Sequence, residues 1–474
     1  MLFSSTLFVF AYLPVVLLGY FLAPKPLKNY FLLLCSLVFY AWGEPVFVIA
    51  MIGSIIGNYV FALLIDRFRG RRKLAIAFLV STLVFNLGLL FAFKYLDFLI
   101  VNINHIFGNV LGKTSIVLPI GISFFTFQAL SYVIDVYRND VPVQKNPFYV
   151  GLYISFFPQL IAGPIVRYTT IAEQIKERTI TFDGFSAGVK RFVIGLGKKV
   201  LLANTLAVVA DKAFAVSHPD ALSVSFAWLG AIAYAFQIFF DFSGYSDMAI
   251  GLGAMFGFRF LENFNYPYIS QSISEFWRRW HISLSTWFRD YVYFPLGGSR
   301  VEKKSRLVFN LFVVWLLTGA WHGASWNFVI WGLFYFALIA FEKLSGYPGK
   351  FRTKTARILY RAFTLLCVLG GWVLFRSVGM HQALGYGLSM FGLAGNAVFD
   401  GNAAFYFSEF WAFFLAAIII STPVSKTIQR RLGGHPALSK TFDMTSAAAC
   451  LVLFLVSISY LVLDTYNPFI YFNF

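Results

Sequence analysis

Two histidines in this chain stand where an ionisable side chain is costly, and both could move a proton. His322 lies in Thr318-Gly319-Ala320-Trp321-His322-Gly323-Ala324, in the middle of the apolar stretch 311–341. An imidazole at that depth is either a functional group or a neutral side chain satisfied by a backbone carbonyl. His281 lies in Ser274-Glu275-Phe276-Trp277-Arg278-Arg279-Trp280-His281-Ile282-Ser283-Leu284-Ser285-Thr286-Trp287-Phe288-Arg289-Asp290. Read as one helix, Trp277, His281, Leu284, Phe288 and Tyr291 share a face, while Arg278, Ser285 and Arg289 fall on another. Such a segment lies in the cytoplasmic interface, its arginines turned to headgroups or to a phosphorylated ligand; a plain surface anchor is the alternative. Asp241 and Asp247 flank Phe242-Ser243-Gly244-Tyr245-Ser246 beside an apolar run. They orient a histidine, pair with Arg278, Arg279 or Arg289, or form an internal ion pair. Gly244, Gly251 and Gly253 suit close helix packing better than phosphate cradling, and no Walker loop, H-E-x-x-H or G-x-S-x-G occurs. His105, His218, His381 and His435 fall in loops or at segment ends and read as surface residues.

The elements that must position these groups are membrane helices. Of 474 residues, 59% are hydrophobic and only 12% charged, with a mean hydropathy of +0.72. Soluble chains carry roughly 25% charged residues, so a water-exposed body is excluded, and with it disordered, fibrous and secreted classes. The net charge of +17 does not indicate nucleic acid, because the cations cluster between apolar runs at 67–73, 300–306, 343–361 and 426–440. Cys35, Cys367 and Cys450 sit inside apolar runs without paired spacing, which argues against disulfides and thiolate metal sites. No metal site is expected.

Counting apolar stretches of about 20 residues predicts roughly 11–13 membrane segments, some re-entrant. The basic loops thread into one orientation, with both termini on the outer face. The stretch 311–341 breaks the count. As one helix it would be about 46 Å long, too long for one span and too short for two. A broken or re-entrant hairpin with His322 near the break is the expected solution. The residues before the first cation, Lys25, lack a basic leader and read as a retained span.

Further motifs run through most of the chain. They are Pro119-Ile120-Gly121-Ile122-Ser123-Phe124, Tyr132-Val133-Ile134-Asp135-Val136-Tyr137-Arg138, Ile161-Ala162-Gly163-Pro164, and Phe240-Asp241-Phe242-Ser243-Gly244-Tyr245-Ser246-Asp247-Met248-Ala249. With the two histidine motifs and the ending Tyr466-Asn467-Pro468-Phe469-Ile470-Tyr471-Phe472-Asn473-Phe474, the chain resembles the membrane-bound O-acyltransferases. It is most similar to the bacterial branch that holds the membrane subunit of the alginate O-acetylation machinery.

That resemblance implies an all-α polytopic fold, a ring of tilted helices around a thin catalytic core, in a single domain over 1–474. Residues 1–110 supply N-terminal spans, 115–345 the core with both histidine motifs, and 355–474 the last spans and an aromatic tail. It implies an O-acetyltransferase of the bacterial inner membrane, with His322 catalytic and His281 a second functional position. Acetyl-CoA is the implied donor. Arg278, Arg279, Arg289, Asp241, Asp247 and Trp321 are the candidates to bind or orient it. Tyr471 is a candidate acyl carrier, by likeness to the tyrosine-bearing tail of the partner peptide in teichoic-acid D-alanylation; a membrane-edge anchor is the alternative. The implied partners are the lipid bilayer, an extracytoplasmic esterase-like (SGNH-type) acetyltransferase and a polysaccharide synthesis and export complex. Alginate is the expected polymer, with cellulose and peptidoglycan as alternatives. A polytopic transporter or a membrane scaffold is the rival class.

Overall fold

The computed structural model describes residues 1–432, 436–463 and 466–470. Among these the secondary structure is helical throughout. Eight helices are long and apolar enough to cross a membrane, with the shorter Phe8–Leu22 beside them. The chain is therefore a multi-pass membrane protein. It divides into two compact units, one formed by Met1–Phe192 with Tyr245–Leu261, the other by Val193–Gly244 with Glu262–Phe474.

In the first unit the helices Phe47–Arg67 and Arg72–Lys94 turn back at the basic loop that the charge pattern marks. Both turn most of their surface outward, as spans in lipid do. Their contact is a polar seam. Asn58 Nδ2 donates to Asn86 Oδ1 (3.0 Å), Asn86 Nδ2 donates back (2.8 Å), and Asn58 and Asn86 also bond the carbonyls of Ser54 and Thr82. Interhelical amide pairs of this kind are worth about 0.6–2 kcal/mol in a membrane. Gly251 acts as its spacing suggests: a Cβ there would lie 2.6 Å from the Gly188 carbonyl.

The second unit holds both histidine motifs. The stretch 311–341 is indeed broken. Lys304–His322 and Trp326–Ser345 form a tight helical hairpin joined by Gly323, Ala324 and Ser325. Two glycines set its closeness. A Cβ on Gly319 would stand 2.4 Å from the Phe328 carbonyl, and one on Gly332 2.4 Å from the Trp315 carbonyl. Since backbone must yield, Gly332→Ala is expected to cost about 1–3 kcal/mol or more. The check is the thermal midpoint of the detergent-solubilised protein, against Gly370→Ala, whose added Cβ meets nothing within 4 Å. Equal midpoints for the two variants would refute the close-approach argument.

The segment 274–290 differs from the single helix expected. It is two short helices, Ile273–Arg279 and Ile282–Phe288, broken at His281, whose backbone is left-handed (φ +44°). The cause is distant in sequence: Asn263 accepts from both the N–H and the hydroxyl of Ser283, while its carbonyl accepts the N–H of Ile282. The first helix is clamped at its start. Buried Glu342 accepts the N–H groups of Ile273 and Ser274 (2.8 Å each) and the Tyr360 hydroxyl (2.9 Å). Trp277 then packs edge-on against Trp315, Trp331 and Tyr335 of the hairpin, with ring centroids 4.9–5.4 Å apart.

Candidate active site

His322 is the last residue of its helix, so its side chain reaches back over the preceding turn. Its Nδ1 lies 2.9 Å from the Thr318 carbonyl. A carbonyl only accepts, so Nδ1 carries the proton and Nε2 is the basic nitrogen. Trp321, Trp331 and Phe375 surround the ring at centroid distances of 4.9–5.5 Å and fix its plane.

His281, like His322, is buried. Its Nδ1 faces Asn263 Oδ1 at 3.2 Å, an acceptor that makes Nδ1 the donor. The other nitrogen, Nε2, is buried without a hydrogen-bond partner among the described residues. Phe242 meets the ring edge-on at 4.5 Å, and Trp321 stands 6.0 Å away, touching both imidazoles. His281 lies in the segment between spans. Burial holds its pKa well below the ordinary imidazole value, and the nearby His322 acts in the same direction. It is therefore neutral near pH 7.

The two histidines line one cavity of about 20 Å³, whose walls include Trp280, Trp372, Phe375 and Ile470. That is room for about one water molecule. A larger cavity of about 430 Å³ shares Phe375 and Ile470 with it and carries Asp211, Gln237, Asn327 and Arg376 on its walls. The arrangement offers two oriented lone-pair nitrogens in an aromatic enclosure. That suits proton abstraction from a hydroxyl in a small, largely aromatic space.

Asp241 also borders the small cavity, but among the described residues its charged partner is a lysine, not an arginine. Lys199 Nζ lies 2.6 Å from Oδ1, both side chains are almost wholly buried, and the Ile470 N–H donates to Oδ2 (2.9 Å). Lys199 donates in addition to the Pro468 carbonyl, and Asn204 bonds Asn467. The described end of the chain, 466–470, is thus laid against an internal ion pair. Asp247 belongs to the other unit, where Arg191 holds it at 2.8 Å. Arg279 pairs with Glu275, Arg289 pairs with Asp290, and Arg278 is exposed. Tyr471 lies outside the described residues. Among the described residues no group of three His, Cys, Asp or Glu side chains could hold a metal ion.

Asn263 and Lys199 were not singled out from sequence. Asn263 carried no local signal. Lys199 did, as one of two lysines inside an apolar run, where a cation needs a buried partner.

Residues 142–380 match the membrane-bound O-acyltransferase family model. Over the full length of both chains the protein is 41% identical to a probable alginate O-acetylase of Pseudomonas putida. It is 35% identical to a peptidoglycan O-acetyltransferase of Helicobacter pylori, covering 100% of this chain and 98% of that one. A teichoic acid D-alanyltransferase of Bacillus subtilis is 31% identical over 56% of this chain and 70% of its own.

Proposed function

The chain belongs to the membrane-bound O-acyltransferase family, and from that premise we propose that it takes acetyl from cytoplasmic acetyl-CoA and passes it across the membrane for O-acetylation of an exopolysaccharide, alginate. The observation that carries the chemistry is the pair of histidines on one buried cavity, each with its Nδ1 committed to an oxygen acceptor. An acceptor hydroxyl attacks the thioester carbonyl while His322 Nε2 takes its proton. The tetrahedral intermediate collapses, the C–S bond breaks, and the proton passes to the departing CoA thiolate. His281 Nε2, buried and unpartnered, orients the acyl group or its acceptor. Trp321 holds the two rings in register. Arg278 and Arg289, both exposed, are suited to the donor's phosphates. Asp241 acts on the site through Lys199 and the tail backbone.

The full-length likeness to alginate O-acetylases supports the choice of polymer. The expected experiment is complementation of an alginate-producing strain that lacks its membrane acetylase. Restored acetyl content of the alginate supports the reading; acetylation of peptidoglycan or cellulose instead would overturn the polymer. To the same reading belong 11–13 segments with re-entrant helices in a ring around a thin core, one catalytic domain over the whole chain, both termini at the periplasmic face of the inner membrane, and an extracytoplasmic esterase-like acetyltransferase that places the acetyl on the sugar within a synthesis and export complex.

Tyr471 is the proposed relay. Ile470, the residue before it, lines the histidine cavity, which supports an acyl acceptor at the next position. A phenol with a pKa of about 10 leaves more readily than an alkoxide, so its ester can be handed on. Tyr471→Phe, at normal membrane levels, is expected to abolish polymer acetylation. Normal acetylation by that variant would rule the relay out.

A further inference from the structure

A cavity of about 290 Å³ in the second unit takes no part in the histidine site. Its walls come from three spans, Val224–Met255, Lys354–Arg376 and Gly401–Ile420, and from Tyr268 and Ile269. The lining is apolar except at one end. On Lys354–Arg376 the contributors Arg361, Leu365, Val368 and Leu369 recur at helical spacing, so one face carries a cation and, one turn on, a hydrocarbon wall about 6 Å long, the whole spanning about 12 Å of the axis. Ser421 and Thr422, just past the end of Gly401–Ile420, lie at the cavity as well. Arg361 is exposed and has no carboxylate or carbonyl partner among the described residues.

The surroundings of that end are basic. Lys354 and Arg357 precede Arg361 on the same helix. The amphipathic helix Val424–Leu432 adds Lys426, Arg430 and Arg431, and the Lys426 ammonium sits 5.3 Å over the Tyr266 ring, two residues from Tyr268. Cation clusters flanking spans mark the cytoplasmic side, where anionic lipids are attracted by about 1 kcal/mol per cation. Phe236, Leu365 and Leu369 are only half-buried, as walls open to an occupant would be.

We propose that this groove binds one anionic phospholipid of the cytoplasmic leaflet, its phosphate on Arg361 and part of an acyl chain along Phe236, Leu365 and Leu369. The charge at the mouth selects the headgroup, and the apolar length behind it selects a chain. The occupant would also bear on the histidine segment, since Tyr268 packs on Phe276 and Trp280 at 6.2 and 6.3 Å.

The test uses the full chain in neutral detergent, with dioleoylphosphatidylglycerol or dioleoylphosphatidylcholine added, read by thermal unfolding and native mass spectrometry. Phosphatidylglycerol is expected to raise the midpoint in a saturable way and to be retained as one bound lipid, while phosphatidylcholine does neither. Arg361→Gln is expected to weaken the phosphatidylglycerol response about 5-fold, the equivalent of one surface cation. Thr422→Trp, which fills the mouth, should lose the bound lipid; both variants should keep the lipid-free midpoint. The proposal fails if the two lipids act alike, if both variants respond as wild type, or if CoA produces the shift and phosphatidylglycerol does not.

Discussion

Acetyl transfer by a His322→Ala variant is expected to fall by about 10²- to 10⁴-fold, the usual contribution of a positioned general base. The argument rests on the tautomer. The Thr318 carbonyl takes the Nδ1 proton, which leaves Nε2 basic within the cavity that His281 also lines. Three aromatic rings hold the imidazole, so truncation to alanine also empties packed volume and lowers stability. His322→Gln separates the two effects, because it fills most of the space and supplies no base. Both variants should lose turnover, whereas only the alanine variant should melt early. The measurement is release of CoA from acetyl-CoA by reconstituted protein with a hydroxyl acceptor, alongside the thermal midpoint. Turnover retained by a well-folded His322→Gln would remove His322 from the chemistry.

How far the site could be read in advance depended on whether its constraints were local. The break beside His322 was legible because helix rise and bilayer thickness fit 311–341 neither as one span nor as two, and the structure breaks it at 323–325. The closeness of that hairpin was only partly legible. Gly319 stood in the motif, but its counterpart Gly332 lies on the far arm, and their pairing is a matter of register. The segment around His281 misled, because periodicity describes side-chain spacing and says nothing of a left-handed residue imposed by Asn263. Asp241 and Asp247, six residues apart on one continuous helix, share one motif in the sequence and the same candidate roles. Helical geometry sets them roughly 600° apart around the axis, hence on different faces, and they join different units. The arginines drew attention as cations, yet the buried cation paired with a cavity-lining carboxylate is Lys199.

Lys199→Met and Asp241→Leu are each expected to remove most of the folded protein, and the pair together to restore much of it. Both side chains are at most 2% exposed and their charges meet at 2.6 Å. Removing either leaves its partner charged in an apolar interior, at a cost of about 3–5 kcal/mol; replacing both with apolar groups of similar size is often neutral or stabilising. Yet the pair also anchors residues 468–470, since Asp241 takes the Ile470 N–H and Lys199 donates to the Pro468 carbonyl. The double variant keeps an apolar core and loses those two main-chain anchors. It should therefore be well folded while its tail is cleaved faster by carboxypeptidase and its polymer acetylation drops. Monodispersity in detergent, tail cleavage and acetyl content of the polymer report the three effects separately. Single variants as stable as wild type would show that the pair contributes little, and a folded double variant with normal acetylation would show that the tail needs no ion pair beneath it. The expected combination, folded with reduced acetylation, would mean that this buried charge pair is retained for holding Pro468 and Ile470 beside the histidine cavity rather than for stability.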